Sequence, residues 1–343
     1  MLASRRDRFC LQLCFCCTST TFCHVHQFTV TRMTVQFMIA FCLTSPEGNY
    51  FPQGLLCGVN VKKKKKKIFL EEIIKENDLQ WLDAVEIIPS DEIIKDIDEL
   101  FPKAKLLICG DLDIGHVFPE DAVNYLKESK HENDLGSDVM QAESQHSDLL
   151  AGVYEGGLKI WECTNDLSEY LCTEEVEWKE KQVLDLGCGA GILGLIALMS
   201  GGNVHFQDYN KEVINAVTIP NCLLNIHSEK RETIKTSCKF YSGDWGSLSK
   251  LMQKNSKDYK YDYILSSETI YNVDNHQKVY EIFKNHLKKD GIGYVAAKAH
   301  YFGVGGGIRQ FESLVVKDGV MKCQSVWKST GGLGREIIKL TFK

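Results

Sequence analysis

From His146 to Lys343, short apolar runs alternate with stretches whose apolar residues recur every three or four positions. That rhythm predicts strands joined by crossover helices and hence a largely parallel sheet. Val183 to Leu186 reads as the first strand and Ile192 to Met199 as the helix behind it. "NVHFQD" (203–208), "CKFYSG" (238–243), "YDYILSSE" (261–268) and "GIGYVAAKA" (291–299) read as further strands. Between them, "KEVINAVTIPNCLLNI" (211–226) and "NHQKVYEIFKNHLKK" (275–289) have helical spacing, as does "IRQFESLVV" (308–316) after the last of these strands. "MKCQSVWK" (321–328) and "REIIKLTFK" (335–343) flank "STGGLG" and predict a terminal antiparallel pair. The expectation is an α/β, Rossmann-like domain over 146–343, with a seven-stranded mixed sheet and helices on both faces.

Upstream the pattern weakens. In residues 68–145, "EEIIKENDLQWL" (71–82) and "SDEIIKDIDELF" (90–101) carry narrow apolar stripes, with Ser90 placed as an N-cap and acidic residues in the first turn. Such short helices need a surface to dock on. The segment therefore reads as a largely mobile acidic arm with transient helices; a small accessory subdomain is the alternative. Residues 1–67 lack periodicity, are rich in cysteine and end in six lysines, Lys62 to Lys67. They read as disordered sequence, the lysines being a solvated charge run or a nuclear-import signal. Met33 opens "MTVQF", a plausible alternative start.

Charge sharpens the division. The net charge of −6 hides a segment, 68–143, with 20 acidic and 6 basic residues, whereas 146–343 carries 24 of each. A balanced catalytic segment lacks the basic footprint of a general nucleic-acid binder, so no direct nucleic-acid substrate is expected. Of the 14 cysteines, seven lie in the first 57 residues and the rest are scattered singly, as in a reduced compartment. Cys23, His24 and His26 lack the paired spacing of a zinc site, and no metal is expected. No apolar stretch of spanning length occurs and no membrane partner is expected. The compartments expected are cytoplasm and nucleus, the nucleolus included, and the expected state is a monomer.

The chemistry is concentrated at "VLDLGCGAGILG" (183–194). A glycine turn between strand and helix suits a nucleotide-like cofactor, and "GAGILG" fits the dinucleotide pattern. Asp185 argues otherwise. Beside a pyrophosphate it would set two like charges about 5 Å apart, a repulsion of roughly 3 kcal/mol. The sulfonium and ammonium of S-adenosylmethionine reverse that sign, and Gly187 and Gly189 would let the backbone approach the methionine portion. Asp208, closing the second strand, suits two ribose hydroxyls of either cofactor. "GDW" (Gly243, Asp244, Trp245) offers an acceptor for an adenine amino group and a ring face. The terminal antiparallel pair leaves no room for a second mononucleotide-binding half. S-adenosylmethionine is the expected cofactor.

"HSDLLAGVYEGGLKIWECT" (146–164), "VLDLGCGAG", "HFQDYN", "SGDW", "SSETIYN" and "KAHYFGVGGG" together resemble the histidine protein methyltransferase 1 family, across essentially all of 146–343. The resemblance implies a seven-stranded S-adenosylmethionine-dependent enzyme that methylates a histidine ring nitrogen in a large-subunit ribosomal protein, preceded by a poorly ordered arm. It implies that Ile160, Trp161, Glu162, Cys163 and Thr164 cover the cofactor. Asp185, Gly187 and Gly189 would hold its methionine end, and Asp208, Tyr209 and Asn210 the ribose. Gly243, Asp244 and Trp245 would hold adenine, with Ser266 and Ser267 lining the end of the fourth strand. "ETIY" (268–271) is similar to a signature shared with protein lysine methyltransferases. Asp244 stands where a glutamate is expected in close relatives.

Methyl transfer is an in-line displacement, so placing the nucleophile supplies most of the catalysis. A histidine acceptor, with a pKa near 6.5, is already largely neutral near pH 7 and needs its tautomer set rather than its proton removed. Glu268 is the candidate for holding the opposite N–H, Tyr271 for walling the acceptor site, and His300 for framing it beside "GVGGG". A lysine methyltransferase and a non-catalytic scaffold that binds ribosomal protein are the two alternatives.

Overall fold

The computed structural model describes residues 81–128, 138–255 and 258–343. The chain opens with β1 (Val85–Ile87), α1 (Asp91–Leu100), the hairpin β2 (Lys105–Cys109) and β3 (Leu112–His116), α2 (Pro119–Glu128) and α3 (Asp138–Ser144). Then come α4 (Glu162–Thr173), β4 (Gln182–Leu186), α5 (Ile192–Met199) and β5 (Asn203–Asp208). A broken helix follows: α6 (Lys211–Val213), a π turn (Ile214–Thr218) and α7 (Ile219–Leu224). After the short α8 (Ile234–Ser237) run β6 (Cys238–Ser242), α9 (Trp245–Asn255), β7 (Tyr261–Ser267), α10 (His276–His286) and β8 (Leu287–Lys298). The last elements are α11 (Ile308–Asp318), β9 (Met321–Lys328) and β10 (Arg335–Phe342).

All seven strands read from the sequence are present, and the large sheet has the order β1-β6-β5-β4-β7-β8-β10-β9. β6, β5, β4, β7 and β8 run parallel, and β10 is antiparallel to both β8 and β9. Because strand side chains alternate, neighbours in one strand serve opposite layers. Val183, Val204, Phe206 and Leu265 pack with α4, α5 and the broken helix. Leu184, Leu186, Ile264 and Val295 pack with α9, α10 and α11. The order reverses at β4: the chain moves to β5 and β6 on one side, then returns to β7 and β8 on the other. Such a switch point leaves a crevice beyond the carboxyl ends of the strands. One boundary differs from the sequence reading. Helical spacing continues through "LKK", yet α10 stops at His286 because Leu287 is extended, buried and paired with Tyr261.

The acidic segment is where the structure corrects the reading most. Residues 81–128 are not a mobile arm. β1 adds an eighth strand, antiparallel to β6, with Val85 opposite Ser242. α1 buries Ile93, Ile94 and Ile97, and Ser90 caps it by accepting the Ile93 N–H at 3.2 Å. Ile114, Val117, Ala122 and Val123 join the same core layer. Two asparagines of the α7 region hold the hairpin. Asn221 accepts the Val117 N–H at 2.8 Å, and Asn225 accepts the Gly115 N–H at 2.9 Å and returns a bond to the Gly115 carbonyl at 2.7 Å. Net negative charge did not prevent docking because the charged side chains lie outward. Asp98 meets Arg231 through two bonds of 2.6 and 2.7 Å, which holds its carboxyl below the usual range. The expectations for 1–67, the lysine run, the Cys23–His26 group and the helix over 71–80 lie outside the described residues.

Candidate functional site

At the carboxyl ends of β4, β5 and β7 lies a cleft whose empty space, counted out into open solvent, is about 740 Å³. Its floor is the glycine turn. Gly189 has φ +50°, and a Cβ there would come within 3.0 Å of the Gly157 carbonyl, so both the turn and the segment laid over it require glycine. Gly194, the last glycine of the motif, serves packing instead: a Cβ would stand 2.3 Å from the Phe206 ring. Thr218, in the π turn, donates to the Gly189 carbonyl at 2.7 Å, and Asn221 donates to the Ala190 carbonyl at 2.8 Å. Asn221 thereby links the docked hairpin to the glycine turn.

Several of the sequence-predicted residues meet here. Gly187, Gly189, Asp208 and Tyr209 line one wall, and Asp244, Trp245 and Ser267 line others. Ile160 and Trp161 border the cleft from the segment before α4 and Thr164 from its first turn, and Glu268 and Tyr271 border it from the β7 side. Asp208 accepts the Gly189 N–H at 3.0 Å and the Asn210 N–H at 3.1 Å, while burial raises its pKa to about 6. Trp245 is aimed by Gln207, which accepts its indole N–H at 2.8 Å. The Asp244 carboxylate has internal work: it accepts the Gly246 N–H at 2.9 Å and the Ser247 N–H at 3.2 Å in the first turn of α9 and meets Lys278 at 2.5 Å.

Seven predicted residues do not line the cleft. Asp185 is 1% exposed, and its carboxylate accepts the Gly194 N–H at 2.8 Å, bracing the glycine turn from behind. Burial raises its pKa to about 8. Asn210 is fully buried and holds the chain leading into the site, accepting the Glu155 N–H at 3.0 Å and donating to the Val153 carbonyl at 2.6 Å. Ser266 is buried and donates to the Leu186 carbonyl at 2.9 Å. Gly243 is enclosed by the backbone of Asp83 and Ala84, which the added strand brings in. Cys163 is buried in the first turn of α4, whereas Glu162 is exposed and pairs with Lys298 at 3.2 Å. His300 is exposed and stacks edge-on against Phe302 at 5.0 Å.

Glu268 combines two roles. It borders the cleft and has φ +57°, a left-handed conformation that a non-glycine residue adopts at a cost of about 1–2 kcal/mol. One carboxylate oxygen accepts the Cys163 N–H at 3.3 Å, capping α4, whose N-cap Trp161 makes no side-chain cap bond. The other accepts the Tyr301 hydroxyl. The orienting role expected of it must therefore be exercised through lone pairs that these bonds leave free.

The sequence reading missed part of the lining. Trp81, from the segment taken as mobile, borders the cleft, with the Lys278 ammonium 4.0 Å from its ring centre and Tyr209 edge-on at 5.7 Å. Thr269 lay inside "ETIY" and Asn275 opened the helical stretch 275–289, and neither was assigned a task at the cleft. Glu155 lay inside a quoted motif without being assigned a task. One of its oxygens accepts the Gly152 N–H at 2.6 Å, and burial raises its pKa to about 7. Its other oxygen is buried with no hydrogen-bond partner among the described residues. Four carboxylates, Glu155, Asp208, Asp244 and Glu268, thus border one cleft together with a glycine turn and three tryptophan rings, Trp81, Trp161 and Trp245. That donor set would repel a pyrophosphate and fits a cationic ligand that also offers hydroxyl donors.

Fold and cleft together define a Rossmann-like α/β protein with a ligand site at its sheet switch point. Within that class, residues 144–302 match the family described as lysine methyltransferase. The histidine protein methyltransferase 1 homolog of Bos taurus is 43% identical over 232 residues, covering 62% of this chain and 62% of that protein. The mouse (Mus musculus) protein of the same name is 38% identical over 262 residues, covering 67% of this chain and 72% of its own length. That of Dictyostelium discoideum is 43% identical over 199 residues, covering 57% and 61%. The chain belongs to the histidine protein methyltransferase 1 family. It spans about 62% of the length of the bovine and rat relatives it matches.

Proposed function

We propose that this protein transfers a methyl group from S-adenosylmethionine to a ring nitrogen of histidine in a protein substrate, a large-subunit ribosomal protein. The observation that carries the cofactor reading is the set of four carboxylates bordering one cleft with a glycine turn. Gly187 and Gly189 would admit the methionine portion, Asp208 and its neighbours the ribose, and Trp245 and Trp81 the adenine. Bound there, the cofactor supplies an electrophilic methyl group on sulfur. The chain's own task is then to hold an imidazole in line and in the right tautomer, with water excluded. Glu268 and Tyr271 stand together at the cleft for that purpose, and the strained backbone of Glu268 is of the kind that functional sites retain. His300 is withdrawn from the catalytic set because it lies outside the cleft. Histidine rather than lysine as the acceptor rests on the relatives' names, and a ribosomal substrate on the motif resemblance. Cytoplasm and nucleus are the compartments proposed with it.

The test supplies methyl-labelled S-adenosylmethionine and a ribosomal protein fraction, then hydrolyses the labelled protein and separates its amino acids. Label is expected in methylhistidine, falling at least about tenfold with Glu268→Gln while S-adenosylhomocysteine still binds, the loss typical of a misplaced acceptor. Label in methyl-lysine would replace the acceptor, in keeping with the family matched by residues 144–302. No label would favour a scaffold.

A further inference from the structure

Resting on the cofactor site proposed above, we infer that Glu155 is a binding residue for the cofactor's ribose, its unpartnered carboxylate oxygen accepting from one of the two ribose hydroxyls. A buried acceptor left without a donor is costly, and native structures retain few of them. This one belongs to a side chain that borders the cleft, so a donor arriving with the ligand completes it.

Position selects which donor. The Glu155 N–H is held by Asn210, two residues beyond Asp208 at the end of β5. Gly152, whose N–H Glu155 accepts, has its carbonyl bonded by the Tyr209 hydroxyl at 3.0 Å. Glu155 is therefore mounted on the Asp208–Asn210 turn. Asp208 itself is partly committed, since each of its oxygens already takes a backbone N–H, from Gly189 and Asn210. A vicinal diol presents two hydroxyls; Asp208 keeps one free lone pair on each oxygen, and a second carboxylate alongside can take one of the hydroxyls in its place. The second acceptor is Glu155, and its placement on a fixed frame of four hydrogen bonds makes it a built part of the site.

The experiment titrates the full chain by calorimetry with S-adenosylhomocysteine and with its 2′-deoxy and 3′-deoxy analogues. Wild type, Glu155→Ala and Glu155→Gln are compared. The charge-assisted bond predicts that Glu155→Ala weakens S-adenosylhomocysteine about 10- to 100-fold yet weakens one deoxy analogue less than about twofold. Glu155→Gln keeps an oxygen for the Gly152 N–H, so the fold is preserved, and it should show the same ligand-selective loss at smaller size. Equal losses for all three ligands would overturn the inference, reducing Glu155 to a prop for the Gly152 turn, and so would no loss. If wild type itself failed to bind S-adenosylhomocysteine, the cofactor reading beneath the inference would fall first.

Discussion

Single residues divide by what holds them. Gly187, Gly189, Asp208 and Trp245 could be placed in the site from sequence because their tasks follow from strand, turn and residue type. Asp185 could not, because a carboxylate at the end of a strand has two faces to choose from and the choice is made by packing. It turned inward to Gly194. The consequence is measurable. Burial raises the Asp185 pKa from 3.8 to about 8, so between those values the folded state holds a proton that the unfolded chain releases. By linkage this contribution to stability is complete below pH about 4, falls as pH rises, and is lost by pH about 8. Asp185→Asn keeps an acceptor for Gly194 and has no proton to lose. Urea unfolding at several pH values should show the variant gaining on wild type steadily between pH 5 and pH 8. Parallel curves would mean that Asp185 does not carry that proton.

At the scale of elements, what was legible is what local pattern determines. The five parallel strands are short apolar runs between helices with a regular stripe, so periodicity found all of them. β1, the β2–β3 hairpin and the docking of α1 and α2 were not legible. Their stripes are narrow, their charge is strongly negative, and what secures them is non-local: Asn221 and Asn225 lie more than 100 residues away from Val117 and Gly115. α1 packs into the same apolar layer as α5, so it should unfold with the sheet. Ile97 is fully buried, and Ile97→Ala should cost about 2–5 kcal/mol in the single main transition, followed by circular dichroism in urea. A separate early transition, with the main midpoint unmoved, would show that the acidic segment is an independent appendage after all.

At the scale of the whole molecule, an acidic stretch, 68–143, precedes the electrically balanced residues 146–343. The α1 acids that find partners, Asp91 and Asp98, pair with Lys235 and Arg231, while much of the remaining negative charge faces solvent, a field that would favour a basic protein over a nucleic acid as the proposed substrate. The nature of the acceptor on that substrate then decides how the rate depends on pH. A neutral imidazole is the nucleophile for histidine, and its pKa near 6.5 means that the reactive fraction rises with pH and is nearly complete by about pH 8. An amine nucleophile, with a pKa near 10.4, would still be gaining tenfold per pH unit there. On the proposed function, the cleft carboxylates Asp208 and Glu155, raised to about 6 and about 7, would serve the cofactor, so saturating cofactor would remove their influence from the profile. Measured as kcat/KM for the protein substrate at saturating S-adenosylmethionine, the rate should climb to pH 7.5 and then level off. A rate still rising steeply between pH 8 and pH 9 would transfer the activity to lysine, and the tautomer-setting task assigned to Glu268 would have to become one of accepting a proton from the attacking amine.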